Sequence, residues 1–231
     1  MTDTSLSVSR LLPRAEAYLF DIDGTLLNSR DGVHYNAFHA ALRAIYAIDS
    51  PIDGVPVHGN TDLGILRAVV LRAGFSAADF EARLPSAIAC MCAEASQHAA
   101  DMRPELCPSV RELLTALRQS GKLLGVVSGN LEPIGRLKLK AAGIEQFFAF
   151  GSFSDQRELR RDIFRHGIAE ARRRLGPAAE VCFVGDTPAD IAAAHELACP
   201  ILAVATGIFS AADLLAQRPD ACITCCSELL V

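Results

Sequence analysis

Ala17-Tyr18-Leu19-Phe20-Asp21-Ile22-Asp23-Gly24-Thr25 decides the reading of this chain. An apolar run of strand character, Ala17 to Phe20, gives way to two carboxylates, then to a glycine at which the chain can turn sharply without a Cβ clash. Side chains alternate across a strand, so positions 21 and 23 are expected to point the same way and to form a small acidic claw. Like charges this close repel. Three things would offset them: a hard divalent cation such as Mg²⁺, a neighbouring Arg or Lys, or a shared proton. The plainer reading is a solvated Asp-Gly turn after an edge strand.

Three further stretches bear on that choice. Leu124-Gly125-Val126-Val127-Ser128-Gly129-Asn130 is an apolar run ending in a hydroxyl and a turn. Val181-Cys182-Phe183-Val184-Gly185-Asp186-Thr187-Pro188-Ala189-Asp190 is an apolar run ending in an acidic pair. Between them lies a basic segment, Gln156-Arg157-Glu158-Leu159-Arg160-Arg161. From residue 104 onward, apolar strands alternate with helical patterns, which implies a parallel sheet with helices on both faces. The expected elements are a helix opening at Ser109 with the capping box Ser109-x-x-Glu112 and ending at Gly121, then a strand over 123–127. A helix to Gly143, a strand over 147–150, a helix over about 157–175 and a strand over 181–184 follow. A helix from Pro188 and a strand over 201–204 complete the series. Every polar stretch falls at the carboxyl end of an expected strand, where sheets of this class bind ligands. Residues 30–103 read instead as helices at about 33–48, 61–74 and 77–99 with no apolar strand between them.

In order and spacing, these stretches resemble the motifs of the haloacid dehalogenase superfamily, in its phosphoglycolate phosphatase-like branch. The resemblance implies an α/β fold: a Rossmann-like parallel-sheet core over 15–29 and 104–231, with an inserted all-helical cap over 30–103. It implies a Mg²⁺-dependent phosphatase acting on a small phosphorylated metabolite. Asp21 would attack phosphorus to form an aspartyl-phosphate, and Asp23 would protonate the leaving alcohol and later take a proton from water. Ser128, with the backbone N–H groups of Gly129 and Asn130, would hold a phosphoryl oxygen, and Gly24 and Thr25 would also bind the substrate. Asp21, the backbone carbonyl of Asp23, and Asp186 would bind the metal, with Asp190 holding its shell or capping a helix. The family's usual basic residue is a Lys followed by Pro, and this chain departs from that pattern. Arg157 is chosen in its place because it falls at an expected helix start, with Arg160, Lys138 and Lys140 as rivals. In the cap, the stretch His58-Gly59-Asn60-Thr61-Asp62 is the candidate for leaving-group contact, with His58 its first residue; His34 and Tyr35 are further candidates.

Rival functions separate on particular residues. A dehalogenase would not require Asp23. A phosphonate-cleaving relative would need a cap lysine, and the three lysines, 122, 138 and 140, lie outside the cap. A sugar-phosphate mutase resembling beta-phosphoglucomutase keeps the same Asp pair and stays open, and a non-catalytic phosphometabolite-binding module is the other alternative. Composition adds bounds. With 231 residues, 51% of them hydrophobic, the chain is long enough for a substantial core. A net charge of −5 from 22 basic and 27 acidic residues suggests neither a nucleic-acid partner nor a membrane surface. Eight scattered cysteines read as reduced thiols of a cytoplasmic protein, and Cys222-Ile223-Thr224-Cys225-Cys226 as a core strand end, with no zinc expected. The first ten residues lack an apolar signal core.

Overall fold

The computed structural model describes residues 12–49, 52 and 54–230. Six strands form one parallel sheet: β1 (Ala17–Phe20), β4 (Leu123–Val127), β5 (Phe150–Ser152), β6 (Val181–Gly185), β7 (Ile201–Val204) and β8 (Ala221–Ile223). Their spatial order is β5-β4-β1-β6-β7-β8, which puts β1 between β4 and β6. Period-two alternation then divides β1 between two cores. Tyr18 and Phe20 pack on the face that carries α4 (Val110–Gln119) and α5 (Glu132–Ala141). Ala17 and Leu19 pack on the opposite face, with α6 (Arg160–Leu175) and α7 (Pro188–Glu196). There Phe164 stacks on Phe183 with ring centroids 4.1 Å apart. With both faces covered, the central strands are apolar throughout, as their sequences require.

The switch in strand order at β1 opens a crevice at its carboxyl end, and the polar stretches converge there. Just beyond β1 the chain forms a two-stranded antiparallel ribbon, β2 (Leu27–Ser29) against β3 (Pro104–Leu106), with Leu27 opposite Leu106. Through this ribbon the chain leaves and re-enters the sheet domain. The intervening helices are α1 (Val33–Tyr46), α2 (Asp62–Arg72) and α3 (Ala77–Gln97). They bury their own cluster, with Phe38, Leu42, Tyr46, Leu66, Phe80 and Met91 in it, and Leu131 and Ile134 from the start of α5 join that cluster. The insertion is therefore packed against the sheet domain next to the crevice. The start of α3 is fixed by a capping box of Ser76 and Asp79, and that of α2 by Thr61, whose hydroxyl accepts from the Gly64 N–H at 3.0 Å.

Several local expectations are corrected. Ser109 does not cap α4: its backbone is left-handed (φ 60, ψ 17), whereas a capping hydroxyl reaches the N3 amide only from extended backbone. The strand expected at 147–150 is displaced to Phe150–Ser152, because Glu145–Phe147 forms a 3₁₀ turn that packs Phe147 and Phe148 on the core. The helix expected from 157 begins at Arg160, and this shift of three residues changes which arginine meets the site. The β2–β3 ribbon is an element the sequence does not announce, whereas the strand end expected around Cys222 is β8, which ends at Ile223 with Cys226 buried beyond it. All eight cysteines are free thiols. Among the described residues, no helix is long and apolar enough to cross a membrane.

Candidate active site

The two carboxylates of the opening stretch part company. Strand geometry stops at Phe20, and from Ile22 the chain turns tightly, with the amides of Leu26 and Leu27 both bonding back to the Ile22 carbonyl. Asp21 keeps the phase of Leu19 and meets Arg160 at the start of α6, whereas Asp23, in the turn, meets Lys138 from α5. A single claw is thus replaced by two carboxylates, each with its own cation.

Arg160 is buried and braced from two sides. Its Nε donates to Asp190 Oδ1 at 2.6 Å, and its Nη2 lies 2.7 Å from Asp21 Oδ2. The second contact is an ion pair without hydrogen-bond alignment, so the buried Nη2 has no hydrogen-bond acceptor of its own. A buried donor left in this state is costly, and it is suited to an incoming anionic oxygen. Burial works against the charge of Arg160, but Asp190 and Asp21 outweigh it and push its pKa up. Arg157, the residue chosen from sequence, does not line the crevice. It lies instead near His166, whose pKa is pushed down by burial and then by Arg157. Lys140 does not line the crevice either.

Asp186, at the end of β6, closes the acidic group. Oxygens of Asp21, Asp186 and Asp190 lie within 4.8 Å of one another, and all three residues are buried. Asp186 Oδ1 accepts from the Thr25 hydroxyl at 3.0 Å. Two glycines make room for its carboxylate: a Cβ on Gly24 (φ +85) would stand 2.1 Å from Asp186 Oδ2, and one on Gly207 1.9 Å from it. Asp190 spends both oxygens within the chain, one on Arg160 and the other on the Thr187 amide and hydroxyl in the capping box of α7. Burial, with Asp190 and Asp23 adding to it, pushes Asp21 up to about 7 against the pull of Arg160. Burial and the neighbouring Asp190 and Asp21 push Asp186 up to about 8. Hard oxygen donors gathered at this density, and short of positive charge, fit a divalent cation held by Asp21 and Asp186.

Around Asp23 the bonds form a network. Lys138 Nζ lies 2.8 Å from both Asp23 oxygens, 2.8 Å from Asn130 Oδ1 and 3.0 Å from His34 Nδ1. Since the ammonium can only donate, His34 Nδ1 accepts, and its Nε2 donates to Asp62 Oδ2 at 3.1 Å. The Asn130 amide donates to Asp23 at 2.8 Å and to Ser128 Oγ at 2.7 Å, which leaves the Ser128 hydroxyl proton for a ligand. Burial acts to raise the pKa of Asp23, but Lys138, with the Asn130 amide, outweighs it and holds it below the usual carboxylate range.

The helical insertion covers this site. The Asp62 amide donates to the Gly129 carbonyl at 2.8 Å, and a Cβ on Gly129 would meet the Asn60 carbonyl at 2.4 Å. Thr61 donates to the Glu158 carbonyl at 2.6 Å, and Arg67 grips the Glu158 carboxylate. The cavity, about 330 Å³ and open to solvent on one side, brings together Asp21, Asp23, Gly24, Ser128, Gly129, Asn130, Asp186 and Arg160, with His58, His34 and Tyr35 on its insertion side. Sequence reasoning missed the coupling of Asp62 and His34 to Lys138, and it gave Asn130 a backbone role only, without the side-chain amide that holds Asp23 and Ser128. The i, i+8 pair Asn130 and Lys138 had no motif to mark it.

Comparison with known proteins agrees with this geometry. A family model for haloacid dehalogenase-like hydrolases matches residues 15–197. The chain belongs to the haloacid dehalogenase-like hydrolases. A phosphoglycolate phosphatase of Synechococcus elongatus is 28% identical over 224 residues, covering 93% of this chain and 95% of that one. Tyrosine-protein kinase PtkA of Mycobacterium tuberculosis is 33% identical over 189 residues, covering 77% of this chain and 58% of its own length. Among solved structures, CbbY of Rhodobacter sphaeroides in complex with phosphate aligns with a TM-score of 0.68 at 20% identity, covering 93% of this chain and 96% of that one. Within the haloacid dehalogenase-like hydrolases this chain is of the phosphoglycolate phosphatase-like kind, a phosphomonoester hydrolase.

Two outcomes follow from the site. Arg160→Ala is expected to lower kcat/KM for a phosphomonoester by about 10²-fold or more, while Arg157→Ala stays near the native rate; steady-state kinetics of the two variants check this, and the reverse order would return the role to Arg157. The second concerns a bound cation. Burial and the neighbouring carboxylates push Asp21 up to about 7 and Asp186 up to about 8, well above the usual carboxylate range. Without metal, stability therefore falls as pH rises through that window, and a divalent cation replaces the lost protons. Added Mg²⁺ should raise the thermal midpoint more at about pH 8.5 than at about pH 6, and an equal gain at both would contradict the assignment.

Proposed function

We propose that this protein is a Mg²⁺-dependent phosphatase that hydrolyses a small phosphate monoester through an aspartyl-phosphate on Asp21. The observation that carries the reading is the buried Arg160 Nη2, held beside the Asp21 carboxylate with no aligned acceptor of its own. An oxygen of a phosphoryl group placed for attack by Asp21 would give that donor its partner.

The chain's residues divide the work. Asp21 attacks phosphorus while Arg160, the Ser128 hydroxyl and the Gly129 and Asn130 amides hold the equatorial oxygens, where charge spreads in the transition state. Arg160 also fixes the attacking carboxylate in place, and Asp190 fixes Arg160. Asp23 gives its proton to the departing alcohol and recovers one from the water that cleaves the aspartyl-phosphate, so each half of the cycle restores the state the other needs. The lowered pKa of Asp23 suits the second half, in which it must act as a base. For the first half, a protonated Asp23 must exchange a bond to Lys138 for one to the leaving oxygen. Asp21, Asp186 and the Asp23 backbone carbonyl would hold Mg²⁺, which supplies charge neutralisation between the acidic group and the phosphoryl oxygens. The insertion excludes water from the phosphoryl group until the leaving alcohol has gone. Eight free thiols support placing the protein in the cytoplasm.

Phosphate release from a panel of phosphomonoesters, with and without Mg²⁺, tests the proposal. Release that requires metal and vanishes in Asp21→Asn, with the variant's thermal unfolding intact, is the expected result. Release that survives Asp21→Asn, or that ignores a chelator, would overturn it.

A further inference from the structure

The cavity over Asp21 has a charged floor and apolar walls. Strand-end residues, Asp21, Ser128, Asn130 and Asp186 among them, make the floor together with Arg160 from the start of α6. The walls come from the helical insertion and from the loop after β7: Phe38, Ile52, Val57 and Ile65, with Tyr35 and Ile208 at the rim. Tyr35 is 45% exposed and Ile208 62% exposed, so two of the large exposed hydrophobic side chains described in the molecule stand at this opening. One comes from α1 and the other from the loop after β7. Apolar side chains placed this way lose water when a ligand lies between them.

Charge points the same way. Two carboxylates line the insertion side, Asp31 and Asp62. Asp31 accepts from the backbone amides of Val33 and Arg103, and Asp62 from Leu131 and His34, so neither is paired with an Arg or Lys. The two cations that line the cavity are committed to the floor. Lys138 is shared among Asp23, Asn130 and His34, and Arg160 between Asp190 and Asp21. A second anionic group on the substrate would meet Asp31, Asp62 and aliphatic carbon, with His58, His34 and Asn60 as further polar side chains from the insertion. An uncharged group would meet surface that gains from being covered.

We propose that the monoester cleaved here carries no second anionic group: its leaving alcohol is uncharged and presents an apolar face to Phe38, Ile65 and the Tyr35–Ile208 rim. This rests on the phosphatase reading above and narrows it. It also separates this chain from the substrate in the name of its phosphoglycolate phosphatase relative, since the glycolate end of that ester is a carboxylate.

Two matched pairs of esters test the proposal at about pH 8. One pair is 2-hydroxyethyl phosphate and 2-phosphoglycolate, and the other is phenyl phosphate and 4-carboxyphenyl phosphate. With saturating Mg²⁺, kcat/KM is expected to favour the uncharged member of each pair by tenfold or more. Tyr35→Lys, which sets a cation at the exposed rim, should narrow that ratio by raising the charged member. Calorimetric binding of the same four esters to Asp21→Asn reads the preference apart from the chemistry. Tighter binding of the uncharged members with no turnover by the native enzyme would overturn the phosphatase reading and leave this one standing. Equal or tighter binding, or faster turnover, of the carboxylated members would overturn this one.

Discussion

Three buried carboxylates, Asp21, Asp186 and Asp190, bring their oxygens within 4.8 Å of one another. At an effective dielectric of about 20, two unit charges at that distance repel by about 3 kcal/mol, more than the ~1 kcal/mol net worth of an ordinary hydrogen bond. Ser, Thr and backbone donors therefore cannot hold such a group together alone. Arg160 offsets part of the repulsion, and the raised pKa values of Asp21 and Asp186 show that a deficit remains. A buried cluster of this kind suits a metal ion. Much local structure follows from this: the capping box that orients Asp190, the Thr25 hydroxyl on Asp186, and the two glycines that leave its carboxylate room.

The second cation ties the insertion to the chemistry. Lys138 sits on the sheet domain, yet one of its contacts is His34 from α1, which Asp62 from α2 holds in turn. The amide of Leu131, at the start of α5, closes the loop by donating to Asp62. Position and charge at Asp23 thus depend on whether the insertion is seated. The Asn60 carbonyl over Gly129 and the Arg67–Glu158 ion pair, with a half-exposed Glu81 as its third member, define the seated position. The insertion and the Asp23 carboxylate are joined through one ammonium group.

Much of this was legible in the sequence because it depends on periodicity and on strand ends. The apolar runs before Asp21, Ser128 and Asp186 became adjacent parallel strands, and three helices replaced strands over the insertion. What escaped depended on where a helix begins. Arg157 and Arg160 have similar neighbours in sequence, and only the turn that delays α6 to Arg160 decides which guanidinium reaches Asp21. Ser109 has capping-box spacing but the wrong backbone region, which composition does not reveal. The strict alternation assumed for Asp21 and Asp23 failed one residue past the strand, where Ile22 enters the α4–α5 core and the chain turns. The relay from Asp62 through His34 to Lys138 joins residues up to 104 positions apart and carries no local pattern.

The central claim is that Asp21 becomes covalently phosphorylated while Arg160 holds it in place. Quenching the native enzyme during turnover of a good monoester, reducing with borohydride and mapping the peptides by mass spectrometry tests this directly. Conversion of the Asp21 side chain to the alcohol expected from an acyl phosphate, substrate-dependent and absent in Asp21→Asn, is the predicted result. Reduction mapped to any other carboxylate under the same turnover would contradict the account.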